Sequence, residues 1–273
     1  MTLFSISTIC TSVISFLLGF FVFLKNKKEK LNCLWFLVSI CTAIWSFGLF
    51  MVINASNEIA AFLWVRILYL GAFFIPATFY HFITTFLNKE KDRRFIILAS
   101  YLVPIVMLPF NLFSDYFVSG APPLAGFKHW VKTGPLYLIF VFYFILFAVL
   151  SVAEMIGSYK KLDSLKKLQT KYIIASAAIG YIGGVTNFFP QIINTYPVGN
   201  YFVILYAVLM AYAIFRHNLL NIKVVATEIF SALIPIVLLI DAFFSKTKTE
   251  IIWRGGLFFF VSFFSLLLVR SVL

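Results

Sequence analysis

Two polar stripes inside otherwise apolar sequence are where this chain could do chemistry. On a helix turning roughly 100° per residue, Tyr69, Tyr80, His81 and Thr84 all fall within about 60° of Arg66, with Phe73 and Ala77 filling the gap between them. A guanidinium at Arg66 offers a fixed cation to an anionic ligand. The same side chain can instead pair with Glu58 or Asp115, or snorkel to the outer headgroups. His81 reads as a packing histidine in preference to a proton sensor. In the second stripe Ser176, Gly180, Gly184, Asn187 and Gln191 recur at spacings of four, four, three and four. Gly180 and Gly184 form a GxxxG pair, which permits close helix approach. Asn187 and Gln191 share a face, and Pro190 breaks the backbone ladder between them and frees a carbonyl. This polar, broken half-helix forms a ligand pocket or hinge, or else serves interhelical hydrogen bonding alone. The candidate ligand-binding residues are therefore Arg66, Tyr69, Asn187 and Gln191. The candidate packing and hinge residues are Gly180, Gly184 and Pro190.

No enzyme constellation accompanies these stripes. GxSxG, HExxH, P-loop and DxDxG patterns are all absent from the sequence. No catalytic residue and no cofactor is expected. Cys10, Cys33 and Cys41 have no CxxC spacing, and His81, His129 and His217 are scattered, so no metal site is expected either. His217 follows Arg216 just beyond an apolar run and lacks the acidic neighbour that a phospho-accepting histidine uses as its base. It is expected to anchor its span at the headgroups, with Arg216 on lipid phosphate.

The elements that must position these residues are membrane helices. The chain is 62% hydrophobic and only 12% charged, a composition foreign to soluble domains. Apolar runs cover residues 3–24, 32–53, 61–87, 95–114, 135–159, 172–193, 201–215, 227–245 and 251–269. Most approach the roughly 20 residues that a helix needs to cross about 30 Å of hydrocarbon. Barrel strands need only about ten alternating residues, so the runs predict an all-α, polytopic helical bundle. The basic residues choose its orientation. Lys25, Lys27, Lys28 and Lys30 fall on one side, as do Lys89, Lys91, Arg93 and Arg94, and then Lys160, Lys161, Lys166, Lys167 and Lys171. Arg216, Lys223 and Arg270 complete that side, whereas the other holds only Lys128, Lys132, Lys246, Lys248 and Arg254. This bias puts the N-terminus outside and the C-terminus in the cytoplasm. The net charge of +12 thus reflects topology and anionic lipid, not nucleic acid. The first span lacks a positive leader and a small-residue cleavage site, so it is not read as a signal peptide.

Loops are short except for 115–134, where Gly120, Pro122, Pro123 and Gly126 interrupt Tyr116, Phe117, Phe127 and Trp130. The segment is either a lid over the outer mouth or an interfacial loop with its aromatics at the headgroups. The basic stretch 160–171 continues the fifth span and is expected to lie on the inner leaflet. Glu154 is expected to face the inner loops.

Further residues carry a family resemblance: Asn32, Trp45, Trp64-Val65-Arg66, Pro76, Tyr80-His81-Phe82, Gly134-Pro135, Gln169, Lys171-Tyr172 and Asn187-Phe188-Phe189-Pro190. The most specific is the run from Tyr212 through Phe215-Arg216-His217-Asn218 to Ile222. Together they resemble the N-terminal seven-transmembrane region of bacterial sensor histidine kinases. Asn221 stands where that family is expected to carry an acidic residue. The resemblance implies a seven-helix sensor region at 1–225 and a two-helix transmembrane connector at 226–273, with the cytoplasmic output domain missing. It implies a multi-pass protein of the bacterial inner membrane. Its partners would be the bilayer, an unknown small-molecule or membrane stimulus, and a second copy in a full-length homodimer. The alternative is a self-contained transporter or channel-like protein, which would need a polar path at the midplane from both sides. Reporter fusions after Asn88 and Leu273 are expected to report the cytoplasm, and one within 120–126 the outside. An external signal at Leu273 would mean that a span was miscounted.

Overall fold

The computed structural model describes residues 2–216 and 248–272, together with residues 235 and 238. The expectations for His217 to Lys223 and Leu273 lie outside the described residues. So does the eighth span with Asp241, apart from those two isolated positions. Contacts gather into two units, Met1–Asn221 and Ile222–Leu273.

The first unit contains α1 (Leu3–Lys25), α2 (Lys30–Ile53), α3 (Glu58–Ala72), α4 (Phe74–Phe86) and α5 (Arg94–Phe113). A short hairpin follows, β1 (Val118–Gly120) with β2 (Lys132–Thr133). Then come α6 (Tyr137–Ser158), α7 (Ser164–Val185), the five-residue α8 (Phe189–Ile193) and α9 (Asn200–Arg216). In the second unit a helix spans Lys248–Val272. Helix starts follow local capping: the side chains of Thr2, Asn57 and Asp163 accept from the backbone N–H groups of Ser5, Ala60 and Lys166. The Asp163 cap revises one expectation. The chain turns at Tyr159–Lys161 and α7 begins at Ser164, so most of 160–171 forms the first turns of a long helix instead of an extension of the fifth span.

Among the described residues six helical segments are long and apolar enough to cross a membrane: Leu3–Lys25, Lys30–Ile53, Glu58–Phe86, Arg94–Phe113, Tyr137–Lys161 and Ser164–Ile193. Shorter apolar helices cover Asn200–Ile214 and Ile252–Phe264. The chain is a polytopic, mostly helical membrane protein. Its outward faces agree. Leu98, Leu102 and Ile105 on α5, and Leu138, Phe142 and Val149 on α6, are large, apolar and exposed, which suits lipid and not water.

Inside the first unit the helices close a ring. α1 packs on α2, α2 on α4, α4 on α6, α6 on α7, α7 on α9, and α9 returns to α1, with α3 against α2 and α5 against α4. Small residues set the closest approaches. A Cβ on Gly71 would lie 2.3 Å from the Cys41 carbonyl oxygen. One on Gly48 would lie 2.5 Å from the Leu68 Cβ, and one on Gly19 would lie 2.3 Å from the Ser39 Cβ. Hydroxyls tie α1 to α2: Ser12 Oγ donates to the Ala43 carbonyl at 2.9 Å, and Ser46 Oγ to the Thr8 carbonyl at 2.8 Å.

Gly71→Ala is expected to destabilise the protein by about 1–3 kcal/mol, because backbone blocks the new methyl. Gly157→Ala, where a Cβ meets nothing within 4 Å, is expected to be neutral or stabilising by up to about 1 kcal/mol. Thermal unfolding of the purified protein in detergent measures both. Equal melting temperatures for the two variants would contradict the close approach.

Candidate functional site

The interior of the ring is not filled. A cavity lies at its centre, enclosing about 800 Å³ between atoms, part of it open to the surroundings. α2 contributes Val38, Thr42, Trp45 and Leu49 to its wall. α3 and α4 contribute Leu68, Tyr69, Ala72, Ile75 and Phe79. α6 contributes Phe140 and Phe144, and α9 contributes Val203 and Tyr206. α7 and the turn after it supply Ala177, Gly180, Tyr181, Gly184, Asn187 and Phe188. Trp130 and Val131 of the hairpin segment complete the lining.

The hairpin is folded into the bundle. Phe117, Val118 and Ala121 are fully buried, and Trp130 is nearly so. The expectation that the loop aromatics sit at the headgroups therefore fails for Phe117 and Trp130. Phe117 packs edge-on against Tyr69 and Phe73, while Trp130 stacks on Phe127. Gly134 lets the hairpin close, since a Cβ there would lie 2.3 Å from the Tyr116 carbonyl oxygen. The tip is fastened to α8, because the Ala125 N–H donates to Asn194 Oδ1 at 3.2 Å.

Beneath the hairpin runs a chain of hydrogen bonds. Trp130 Nε1 donates to Gln191 Oε1 at 2.7 Å, Gln191 Nε2 donates to the Tyr137 hydroxyl at 2.5 Å, and Tyr69 donates to the same hydroxyl at 3.0 Å. Four elements meet here: the hairpin, α8, α6 and α3. Tyr69 and Gln191, candidates from sequence, are thus joined through Tyr137, which was not one, and Gln191 also holds Trp130 of the loop. Tyr137 gave no warning, because a tyrosine at the start of an apolar run looks like an interfacial anchor.

The four candidate binding residues separate. Tyr69 and Asn187 line the cavity, and Gln191 sits behind its wall. Arg66 does not line it. Its Nη1 donates to the Leu112 carbonyl at 3.0 Å, its Nη2 lies 3.4 Å from Asp115, and its guanidinium packs 4.4 Å from the Phe62 ring. Arg66 thus caps the C-terminal end of α5, where a cation is favoured. Asn111 returns the contact by donating to the Arg66 carbonyl at 2.9 Å.

The two glycines of the second stripe also differ. Gly180 takes the Tyr206 ring, 3.0 Å from where a Cβ would stand. Gly184 meets nothing within 4 Å and opens onto the cavity. The close approach of α7 to the start of α9 falls at Gly183, where a Cβ would lie 2.6 Å from the Gly199 carbonyl oxygen, and not at Gly184. Pro190 stands in the first turn of α8, after the tight turn Thr186–Phe188. The Thr186 carbonyl that proline cannot bond accepts from the Phe189 N–H instead, so it is not left free.

The opposite end of the ring is ionic. Glu154 binds Lys89 at 2.8 Å and Arg93 at 2.5 Å. Lys30 donates to Glu90 at 2.5 Å and holds that carboxyl below its usual range. His81 Nδ1 lies 3.2 Å from the Tyr101 hydroxyl, and its Nε2 lies 3.9 Å from Glu90. Among the described residues no group of three or more His, Cys, Asp or Glu could hold a metal ion.

Residues 7–223 match the protein family described as the N-terminal 7TM region of histidine kinase. No curated protein matches the chain, and no solved structure does.

Gln191→Leu leaves the Trp130 indole N–H without its acceptor. It is expected to cost about 1–3 kcal/mol and to speed limited proteolysis within 122–127. Arg66→Ala is expected to cost a similar amount without speeding cleavage there. Equal cleavage rates in wild type and Gln191→Leu would show that the chain of hydrogen bonds does not hold the hairpin.

Proposed function

We propose that this chain, which belongs to the family of N-terminal seven-transmembrane regions of histidine kinases, receives a stimulus in its central cavity and passes it to a histidine kinase through α9. One observation carries the reading. The cavity wall is shared between the hairpin segment, through Trp130 and Val131, and α9, through Val203 and Tyr206. Whatever enters therefore touches both a cover and the last helix of the ring. α9 is held there by contacts with small tolerance: Gly183 on Gly199, Gly180 on Tyr206, and the Asn187 amide donating to Asn200 Oδ1 at 3.2 Å. An occupant that moves α7 by a fraction of an ångström must shift α9 or break these contacts. Packed interfaces answer such a push by moving to a second arrangement.

In this reading the N-terminus lies outside a bacterial inner membrane and the C-terminus inside. The hairpin then faces the exterior and the Glu154 and Glu90 ion pairs face the cytoplasm. The sequence carries no nucleotide-binding glycine motif, so the module itself is non-catalytic, and the kinase acts as a homodimer. The ionic end is built for holding. Lys89 and Arg93 from the loop before α5 both clamp α6, so movement is confined to the hairpin half.

In a full-length kinase bearing this region, Trp130→Ala and Asn187→Ala are expected to shift basal autophosphorylation by roughly 5-fold or more, the lower end of typical coupling energies. Membrane insertion should be retained. Unchanged autophosphorylation in both variants, at normal expression, would remove the cavity from the signalling route.

A further inference from the structure

The cavity's walls say what should fill it. They are almost wholly apolar and strongly aromatic, with Trp45, Tyr69, Phe140, Phe144 and Phe188 among them. No residue lining it carries a charge, and Arg66 is engaged elsewhere. An ionic ligand would leave water without compensation there. Two polar atoms of lining residues nevertheless have no partner: Asn187 Oδ1 and the Tyr181 hydroxyl. Asn187 is only 6% exposed. Its amide orientation is fixed, because Nδ2 faces the Gly184 carbonyl at 3.2 Å as well as Asn200 Oδ1. Its Oδ1 is therefore a buried acceptor that lacks a donor, a costly state unless something supplies one.

Building on the sensor reading, we propose that the cavity binds an uncharged, mainly apolar molecule carrying a hydrogen-bond donor, of the long-chain alcohol class, with its hydroxyl donating to Asn187 Oδ1. The apolar part lies against the aromatic walls. The donor ends beside the turn Thr186–Phe188, where α7 gives way to α8. The hydroxyl supplies the donor that Asn187 Oδ1 lacks, and an alkane or ether of equal size cannot. Selectivity thus rests on a single donor. A site that wants a donor discriminates more strongly than an apolar wall does.

Gly184 makes the proposal testable without breaking the fold. Its missing side chain points into open space, and a larger residue there removes a helix-weakening glycine. Gly184→Leu is therefore expected to fold and to fill the cavity. The full chain in phosphatidylcholine nanodiscs is photolabelled with a diazirine-bearing decanol, and the adducts are mapped by mass spectrometry. Labelling is expected within 181–188, and decanol should compete about tenfold better than decyl methyl ether, the worth of roughly one hydrogen bond. Gly184→Leu should abolish the labelling at an unchanged or higher melting temperature. Asn187→Leu should erase the preference for alcohol over ether. Equal competition by alcohol and ether in the wild type would mean that water alone satisfies Asn187 and would overturn the proposal. Labelling that survives Gly184→Leu, or falls only outside 181–188, would do the same. Because binding is read directly, a positive result with silent kinase output would sink the sensor reading while leaving the ligand class intact.

Discussion

Inside a bilayer every backbone carbonyl must find a donor within the protein, and the prolines inside this chain's helices set where that demand is hardest to meet. Pro76, Pro104, Pro109 and Pro190 each lack the N–H that a helical ladder uses. Pro76 falls just after the break between α3 and α4. Pro104 lies inside α5 and leaves the Ser100 carbonyl without its usual partner. The Tyr143 hydroxyl of α6 donates to that carbonyl at 3.0 Å and lies 3.2 Å from the Phe73 carbonyl at the break between α3 and α4. One tyrosine thereby pins three segments at the level where two of them are weakened. At Pro190 the backbone satisfies itself by tightening, as Thr186–Phe188 shows.

Rigidity and adaptability consequently fall at different heights. At the ionic end Glu154 collects two cations and Glu90 collects Lys30, tying α2 and α6 to the loop before α5. At the hairpin end the ties are neutral hydrogen bonds among Trp130, Gln191, Tyr137 and Tyr69. They are directional, but individually modest. The unfilled centre lies beside the weaker set.

Much of the scaffold could be read from the sequence. Most described helices begin and end within a few residues of the apolar runs, because hydrocarbon thickness leaves little freedom in helix length; α7 is the exception, starting at Ser164, eight residues before its run. Tyr69, Asn187 and Gln191 were legible as well, since polar side chains in lipid-length runs stand out. What stayed hidden depended on tertiary placement. Arg66 was readable as a ligand group or as a partner of Asp115, and the structure places it beside Asp115, but the carbonyls of Leu112 and Ser114 that also engage it leave no trace in sequence. GxxxG suggested a contact at Gly184, yet helix rotation gave that contact to Gly183. Trp130 looked interfacial because an aromatic loop residue reads the same whether it faces headgroups or the core. The cavity itself had no signal, since empty space is a property of the whole ring.

The closure of the ring carries a consequence for how the protein is made. Asn200 at the head of α9 donates to Ser7 Oγ near the start of α1, at 3.2 Å across a separation of 193 residues. α9 also supplies two residues of the cavity wall. During synthesis the early helices must therefore wait in the bilayer with their polar inner faces unsealed until α9 has been inserted. Within α1, Thr8 and Thr11 bond carbonyls of their own helix and Ser12 bonds one of α2, whereas the Ser7 hydroxyl gains the Asn200 amide only when α9 arrives. Late, long-range closure of this kind is slow and open to mispairing. The hydroxyl bonds between α1 and α2 form from neighbouring sequence and need no later helix. They give the nascent chain a shielded pair on which the remainder can assemble.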